Sequence, residues 1–210
     1  VADNIEINKL IAVLEQSELN LLVDLRTGDG FNEKAYEKVV EMLTLFEKEW
    51  KEVSSIPKEV ATIMVELYGE LYNFSLNYSG EESERILKAA KNIKRLIEEC
   101  LEGIEEAQLE KNQLFTKLFA YINEDGHFFE KLRSGKGFDD QQFEKIYEAL
   151  ESIMDEVHSW ETLPKAFITI LINFYEMDLF VYTYQEEFHQ EEEADKIYDA
   201  YERVFELIAG

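Results

Sequence analysis

The sequence predicts an all-α protein, a tandem duplication of a four-helix unit with about eight helices in two pseudo-symmetric halves packed together. Three observations lead there. The stretch Leu25 to Tyr68 returns 107 positions later as Leu132 to Tyr175, with about 15 of 44 aligned positions identical and no insertion. Apolar residues recur at three- and four-residue steps, and no run alternates with the period of a strand. Two Pro and nine Gly leave little room for long loops. The repeat sets the halves at about 1–102 and 103–210, each long enough for a helical core.

Helix one is expected over about Asn4 to Arg26, with Asp3 or Asn4 as cap and Ile7, Leu10, Ile11, Leu14, Leu21, Leu22 and Leu25 as its apolar positions. Gly28 ends it, since glycine takes the left-handed conformation past a C-cap, and Arg26 brings positive charge to the last carbonyls. Arg133 and Gly135 repeat this stop. Asn32 and Asp139 are N-caps for the next helix, with Phe31 and Phe138 just outside to staple onto Tyr36 and Phe143. That helix, about Glu33 to Val53, keeps Tyr36, Val39, Val40, Leu43, Phe46, Trp50 and Val53 in helical register, and Phe143 to Trp160 does likewise. Ser55-Ile56-Pro57 and Thr162-Leu163-Pro164 read as a capping hydroxyl and a first-turn proline ahead of a third helix, about Pro57 to Tyr78.

The counterpart of that third helix, Ala166 to Tyr184, is apolar nearly all round, which marks a helix buried on most sides. Glu176 and Asp178 and the acidic flanks argue against a membrane span. Glu81 to Leu101 carries Ile86, Ala90, Ile93, Ile97 and Cys100 on one stripe, continued by Ile104, Ala107 and Leu114, so Gly103 permits either a break or a continuous rod. A fifth helix, about Glu105 to Arg133, is expected to kink or break near Gly126. The last helix aligns with the fourth once the offset grows to 111, pairing Ile197 with Ile86 and Val204 with Ile93. The extra residues fall in Gln185 to Asp195, an acid-rich turn or helix end.

The balance of 46 acids against 21 bases, a net charge of −25, opposes binding of nucleic acid or an anionic membrane surface, whose phosphates it would repel. Basic partners remain. A single cysteine, Cys100, excludes an intramolecular disulfide and fits a reducing, cytoplasmic setting; no secretory segment precedes the first helix, although a start at Val1 leaves room for a removed leader.

No catalytic motif appears. Asp29-Gly30 and Asp125-Gly126 resemble the core of a calcium loop, but the position requiring a bidentate Glu holds Tyr36 and Leu132. The spacings Glu124/His127, Asp155/His158 and Glu186/His189 arise readily in so acidic a chain, so no metal or cofactor is expected. Glu37/Glu41 and Glu144/Glu148 read as a solvated face beside Lys38 and Lys145. Cys100 reads as a buried small side chain.

The expectation is therefore a non-enzymatic acidic protein that binds or neutralises a basic protein, in the manner of an immunity protein or antitoxin. Glu186, Glu187, Glu191, Glu192, Glu193 and Asp195 are its candidate docking residues. The alternative is a small-molecule or peptide-binding module with an aromatic cleft, for which Tyr68, Tyr72, Tyr175, Phe180 and Tyr182 are the candidates.

Overall fold

In the computed structural model, residues 2–102, 113–124 and 127–209 are described. Whether the fourth helix continues through Gly103, and the structure around Glu105, Glu106 and Asp125-Gly126, lie outside them. Within the described residues the chain is helical except for one two-stranded antiparallel pair. The elements are α1 (Ala2–Thr27), α2 (Glu33–Glu49), β1 (Ser55–Pro57), α3 (Lys58–Asn77), α4 (Gly80–Leu101), α5 (Gln113–Asn123), α6 (Phe128–Arg133), α7 (Asp140–His158), β2 (Thr162–Pro164), α8 (Lys165–Tyr175), α9 (Met177–Glu186) and α10 (Glu191–Ala209). They form two compact units: Val1–Ile104 with Thr162–Thr169, and Glu105–Glu161 with Ile170–Gly210.

Unit 1 is a ring of four helices in which α1 touches α2, α2 touches α4, α4 touches α3 and α3 returns to α1. Each contributes one apolar stripe to a core containing Leu14, Leu21, Leu43, Phe46, Leu71 and Ile93, all with no exposed surface. The stop after α1 is a Schellman motif. Gly28, at φ 81°, donates its N–H to the Leu25 carbonyl, and Asp29 donates to Asp24. The Asn32 side chain caps α2 by accepting from Ala35 N–H at 3.0 Å, and Phe31 packs on Tyr36 with ring centroids 5.3 Å apart. α2 ends earlier than its periodicity suggests. Trp50 is its C-cap, held by a stack on Phe46 at 4.2 Å, so Val53 falls beyond the helix and is exposed.

In unit 2, α5 touches α7, α7 touches α10 and α10 touches α9, while Phe129 of α6 meets Phe174 of α8 at 5.2 Å. Gly135, at φ 67°, donates to Leu132, and Lys136 donates to Lys131, forming a second Schellman stop. Asp139 caps α7 through Gln142 N–H at 3.0 Å, and Phe138 packs on Phe143 at 5.2 Å. The expected fifth helix is two helices, α5 and α6.

Three local expectations are corrected. Ser55 and Thr162 are not caps: α3 has Pro57 at its N-cap with no side-chain bond, and the two tripeptides pair with each other as β1 and β2. Arg26 and Arg133 do not turn back on their own helix ends; Arg26 reaches Glu70 at 3.1 Å, and Arg133 reaches Asn173 and Glu176. The apolar run after β2 is interrupted at Glu176, between α8 and α9. By length and composition the 22-residue stretch Lys165–Glu186 is long and apolar enough to cross a membrane. Here Phe167, Ile168, Phe174 and Met177 are buried, and Glu176 is buried against Arg133 at 3.2 Å.

Candidate functional site

The loop leading into α7 fixes the first candidate docking acid. Gly137 sits at φ 93°, which turns the Phe138 N–H toward α10, where Glu193 accepts it at 2.6 Å. Lys196, one turn on, binds the same carboxylate at 2.8 Å and lies 3.7 Å from Asp140. Lys196 and the Phe138 N–H together hold the Glu193 carboxyl below the usual carboxylate range. Unit 1 contains the same arrangement: Gly30 at φ 92°, Phe31 N–H to Glu82 at 2.6 Å, and Arg85 between Glu82 and Glu33. Glu193 is thus spent inside unit 2.

The other candidate acids differ. Glu186 and Glu187 end α9, and Glu191, Glu192 and Asp195 open α10, all exposed. Further along α10, Asp199, Glu202 and Glu206 are exposed too. Its two bases are part-exposed and each is paired with acids. Lys196 is turned to Glu193 and Asp140, while Arg203 makes a two-pronged pair with Glu144 of α7 at 2.6 and 3.0 Å and lies over the Tyr147 ring at 4.3 Å. That pairing holds the Glu144 carboxyl below its usual range. Among residues of α10 whose side chains are described, the exposed ones are therefore six acids and two aromatics, Tyr198 and Phe205.

Four of the five aromatic candidates are engaged within their own units. Tyr68 and Tyr72 on α3 have ring centroids 6.1 Å apart, with the Lys94 ammonium 4.7 Å above Tyr68. Tyr175 meets Tyr201 at 6.3 Å and Phe205 at 6.4 Å. Phe180 lies under the Arg133 guanidinium, and Tyr182 is exposed on α9. A cavity of about 430 Å³ in unit 2 is lined by other residues, Lys131 and the segment Lys136 to Gln141. It is open to solvent, and its Lys131 ammonium is already bound to Asp139 at 2.9 Å and Gln142 at 3.0 Å. The Lys131 bond and the Gln142 N–H hold Asp139 below the ordinary Asp range.

Elsewhere several titratable groups have structural partners. Glu41 pairs with Lys38 and Lys145 with Glu124. His127 Nδ1 lies 2.9 Å from Asn123 Oδ1, and His158 Nε2 lies 3.1 Å from the Ile208 carbonyl. Among the described residues no group of three or more His, Cys, Asp or Glu could hold a metal ion. Cys100 is buried, donates from Sγ to the Leu43 carbonyl at 3.3 Å, and has its pKa pushed up to about 12 by burial, which leaves it unreactive as a nucleophile. On α1 and α3, burial first, and then repulsion of Glu18 by Glu66 and of Glu66 by Glu70, raise the carboxyl pKa of Glu18 and Glu66, only partly offset by Arg26.

Sequence reasoning did not single out Lys165. It is 1% exposed, and its Nζ donates to the Trp50 carbonyl at 2.7 Å and reaches the Glu102 carbonyl at 3.5 Å. Those are the C-caps of α2 and α4, where helix dipoles present negative charge. Burial lowers the Lys165 pKa from the usual lysine value.

No protein-family model, curated protein or solved structure matches this chain.

Proposed function

We propose that the chain is a tandem duplication of a four-helix unit serving as a non-enzymatic acidic docking protein, which binds and neutralises a basic protein in the manner of an immunity protein or antitoxin. The observation carrying the functional reading is the sorting of charge on α10. Both of its bases, though their side chains are 43% and 42% exposed, are paired with acids, Lys196 with Glu193 and Asp140 and Arg203 with Glu144, and the exposed residues described on it are six acids with Tyr198 and Phe205. Such a face attracts Lys and Arg at long range, and its aromatic rings offer contact once they arrive. The docking residues are Glu186, Glu187, Glu191, Glu192 and Asp195, extended along α10 by Asp199, Glu202 and Glu206. Glu193 is withdrawn from that set because its carboxylate serves Phe138 and Lys196.

The duplication reading is supported by matched local devices at the sequence offsets. Gly28/Gly135, Gly30/Gly137, Asn32/Asp139 and Phe31/Phe138 recur at 107, and Glu82/Glu193 and Arg85/Lys196 at 111. The β1–β2 pair sets Ile56 opposite Leu163, its own counterpart at offset 107, so a local two-fold interchanges the strands. In this reading Lys165–Glu186 is core rather than a membrane span, the protein is cytoplasmic, and nucleic acid is not a ligand.

The test is capture from the protein's own cell extract at low salt. Retained proteins should have high pI and should elute as ionic strength rises, because exposed charge pairs are screened over about 10 Å at 0.1 M salt. A small molecule that survives dialysis in the folded protein, with no basic protein captured, would replace this reading with the aromatic-cleft one.

A further inference from the structure

We infer that the chain associates with itself, the basic face of α4 on one copy docking on the acidic face of α10 on a second copy. The inference rests on α10 being a docking face and names an occupant for it. Between Arg85 and Ile97, α4 carries Arg85, Lys88, Lys91, Lys94 and Arg95 and no acid, in a chain with 21 bases against 46 acids. Arg85, Lys88, Lys91 and Arg95 are exposed. Their ties differ. Arg85 is committed to Glu33 and Glu82, and Arg95 pairs along its own helix with Glu99 at 2.5 Å. Lys88 and Lys91 have no ion-pair partner among the described residues. Steps of three and four place Lys88, Lys91 and Arg95 on one face of α4, turned away from the buried stripe of Ile86, Ala90, Ile93 and Ile97.

The same three positions on α10, at the offset of 111, hold Asp199, Glu202 and Glu206, all exposed. Charge is inverted while spacing and exposure are kept. The inversion is confined to one stretch of each helix, since Glu81 and Glu84 have Glu192 and Asp195 as counterparts. Tyr198 and Phe205, each exposed and one residue ahead of an acid, give an arriving ammonium or guanidinium group a ring to lie against. The contact joins unlike faces, so a pair that does not close leaves one face of each kind free for a further copy. A net charge of −25 makes two copies repel, and range decides which effect wins. At about 10 mM salt that repulsion reaches about 30 Å, whereas at about 0.15 M it is screened over about 8 Å and charges in contact still attract. Self-association should therefore rise from low to moderate salt and fall again near about 1 M, unlike capture of a foreign basic protein, which weakens steadily.

Sedimentation of the full chain at about 0.15 M salt, up to about 1 mM protein, tests this. The weight-average mass of wild type should climb with concentration. Lys88→Glu with Lys91→Glu, and separately Asp199→Lys with Glu202→Lys, should each weaken association by about tenfold or more. The second pair is the sharper test, because it makes the chain less negative and would strengthen association if net charge alone governed. All four substitutions in one chain invert both faces and should restore association, as should mixing the two double variants. Wild type that stays monomeric throughout overturns the inference; so does association that neither double variant weakens, or that the four substitutions together fail to restore. Capture from extract separates this inference from the immunity-like reading. Wild type that is monomeric yet retains basic proteins, which Asp199→Lys with Glu202→Lys then loses, overturns the second copy and leaves the foreign partner. Self-association through these faces with no basic protein captured does the reverse.

Discussion

Glu193 offers the sharpest single perturbation. Replacing it with Ala leaves the Phe138 N–H without its acceptor and Lys196 without its nearest carboxylate. A hydrogen bond to a charged group contributes about 1.5–3 kcal/mol, and because a quarter of this side chain is exposed, water can replace part of it, so a loss of about 1.5 kcal/mol is expected. Glu193→Gln keeps an acceptor for Phe138 and should lose less. The pH dependence provides an internal control. The Glu193 carboxyl titrates below its ordinary value of 4.5 in the folded protein, so its stabilisation is complete above that pH and disappears as pH falls through the lowered folded value. The difference between wild type and Glu193→Ala, measured by urea denaturation, should shrink accordingly. A loss below about 0.5 kcal/mol at pH 7, the range of an ordinary surface substitution, would refute the reasoning, and so would a loss that persists unchanged into acid.

The remaining predictions concern turns and charge. Gly28→Ala and Gly135→Ala should both pay for a left-handed backbone, about 1 kcal/mol. Only Gly135→Ala should cost clearly more in thermal denaturation, because its new Cβ would lie 2.8 Å from the Phe188 ring while nothing lies within 4 Å of the other. Glu18→Gln should stabilise the protein at pH 7: the raised folded pKa means wild type gains stability as pH falls through it, so the advantage should vanish well below 4.5 in a pH series of melting temperatures. Phe31→Ala and Phe138→Ala should each lose about 1–3 kcal/mol of staple and burial, read by chemical denaturation. The melting temperature should rise from low to moderate salt, since screening relieves repulsion among Glu191, Glu192 and the other exposed acids.

Much of the helical plan is legible in sequence because its signals are local. Gly28, Asn32 and Phe31 mark a stop, a cap and a staple within five residues, and each does what its chemistry suggests. The stripe Ile86, Ala90, Ile93, Ile97, Cys100 is buried as its spacing implies. What escaped sequence reading depends on distant partners. Ser55-Ile56-Pro57 is too short to show alternation and becomes a strand only through Thr162 to Pro164. Lys165 looks like any polar residue opening a helix, since nothing nearby announces that the carbonyls of Trp50 and Glu102 await it. Glu193 looked equivalent to its acidic neighbours; the available signal was its match to Glu82 at offset 111, together with the glycine that each carboxylate lies against. The apolar face of α8 and α9 was visible, but the burial of Glu176 within it depends on Arg133, a contact 43 positions away.

The docking proposal meets its most direct test in charge reversal on the α10 face. Glu191→Lys, Glu192→Lys and Asp195→Lys, combined in one protein, leave Glu193 and its structural bonds intact; Glu37→Lys with Glu41→Lys on α2 serves as the control at exposed acids elsewhere. Both should be assayed by capture from extract at fixed low salt, with circular dichroism confirming the fold. The account predicts that the α10 variant loses the basic proteins that wild type retains, while the α2 variant keeps most of them. Equal capture by the two variants, or capture by wild type of neutral and acidic proteins alone, would contradict it.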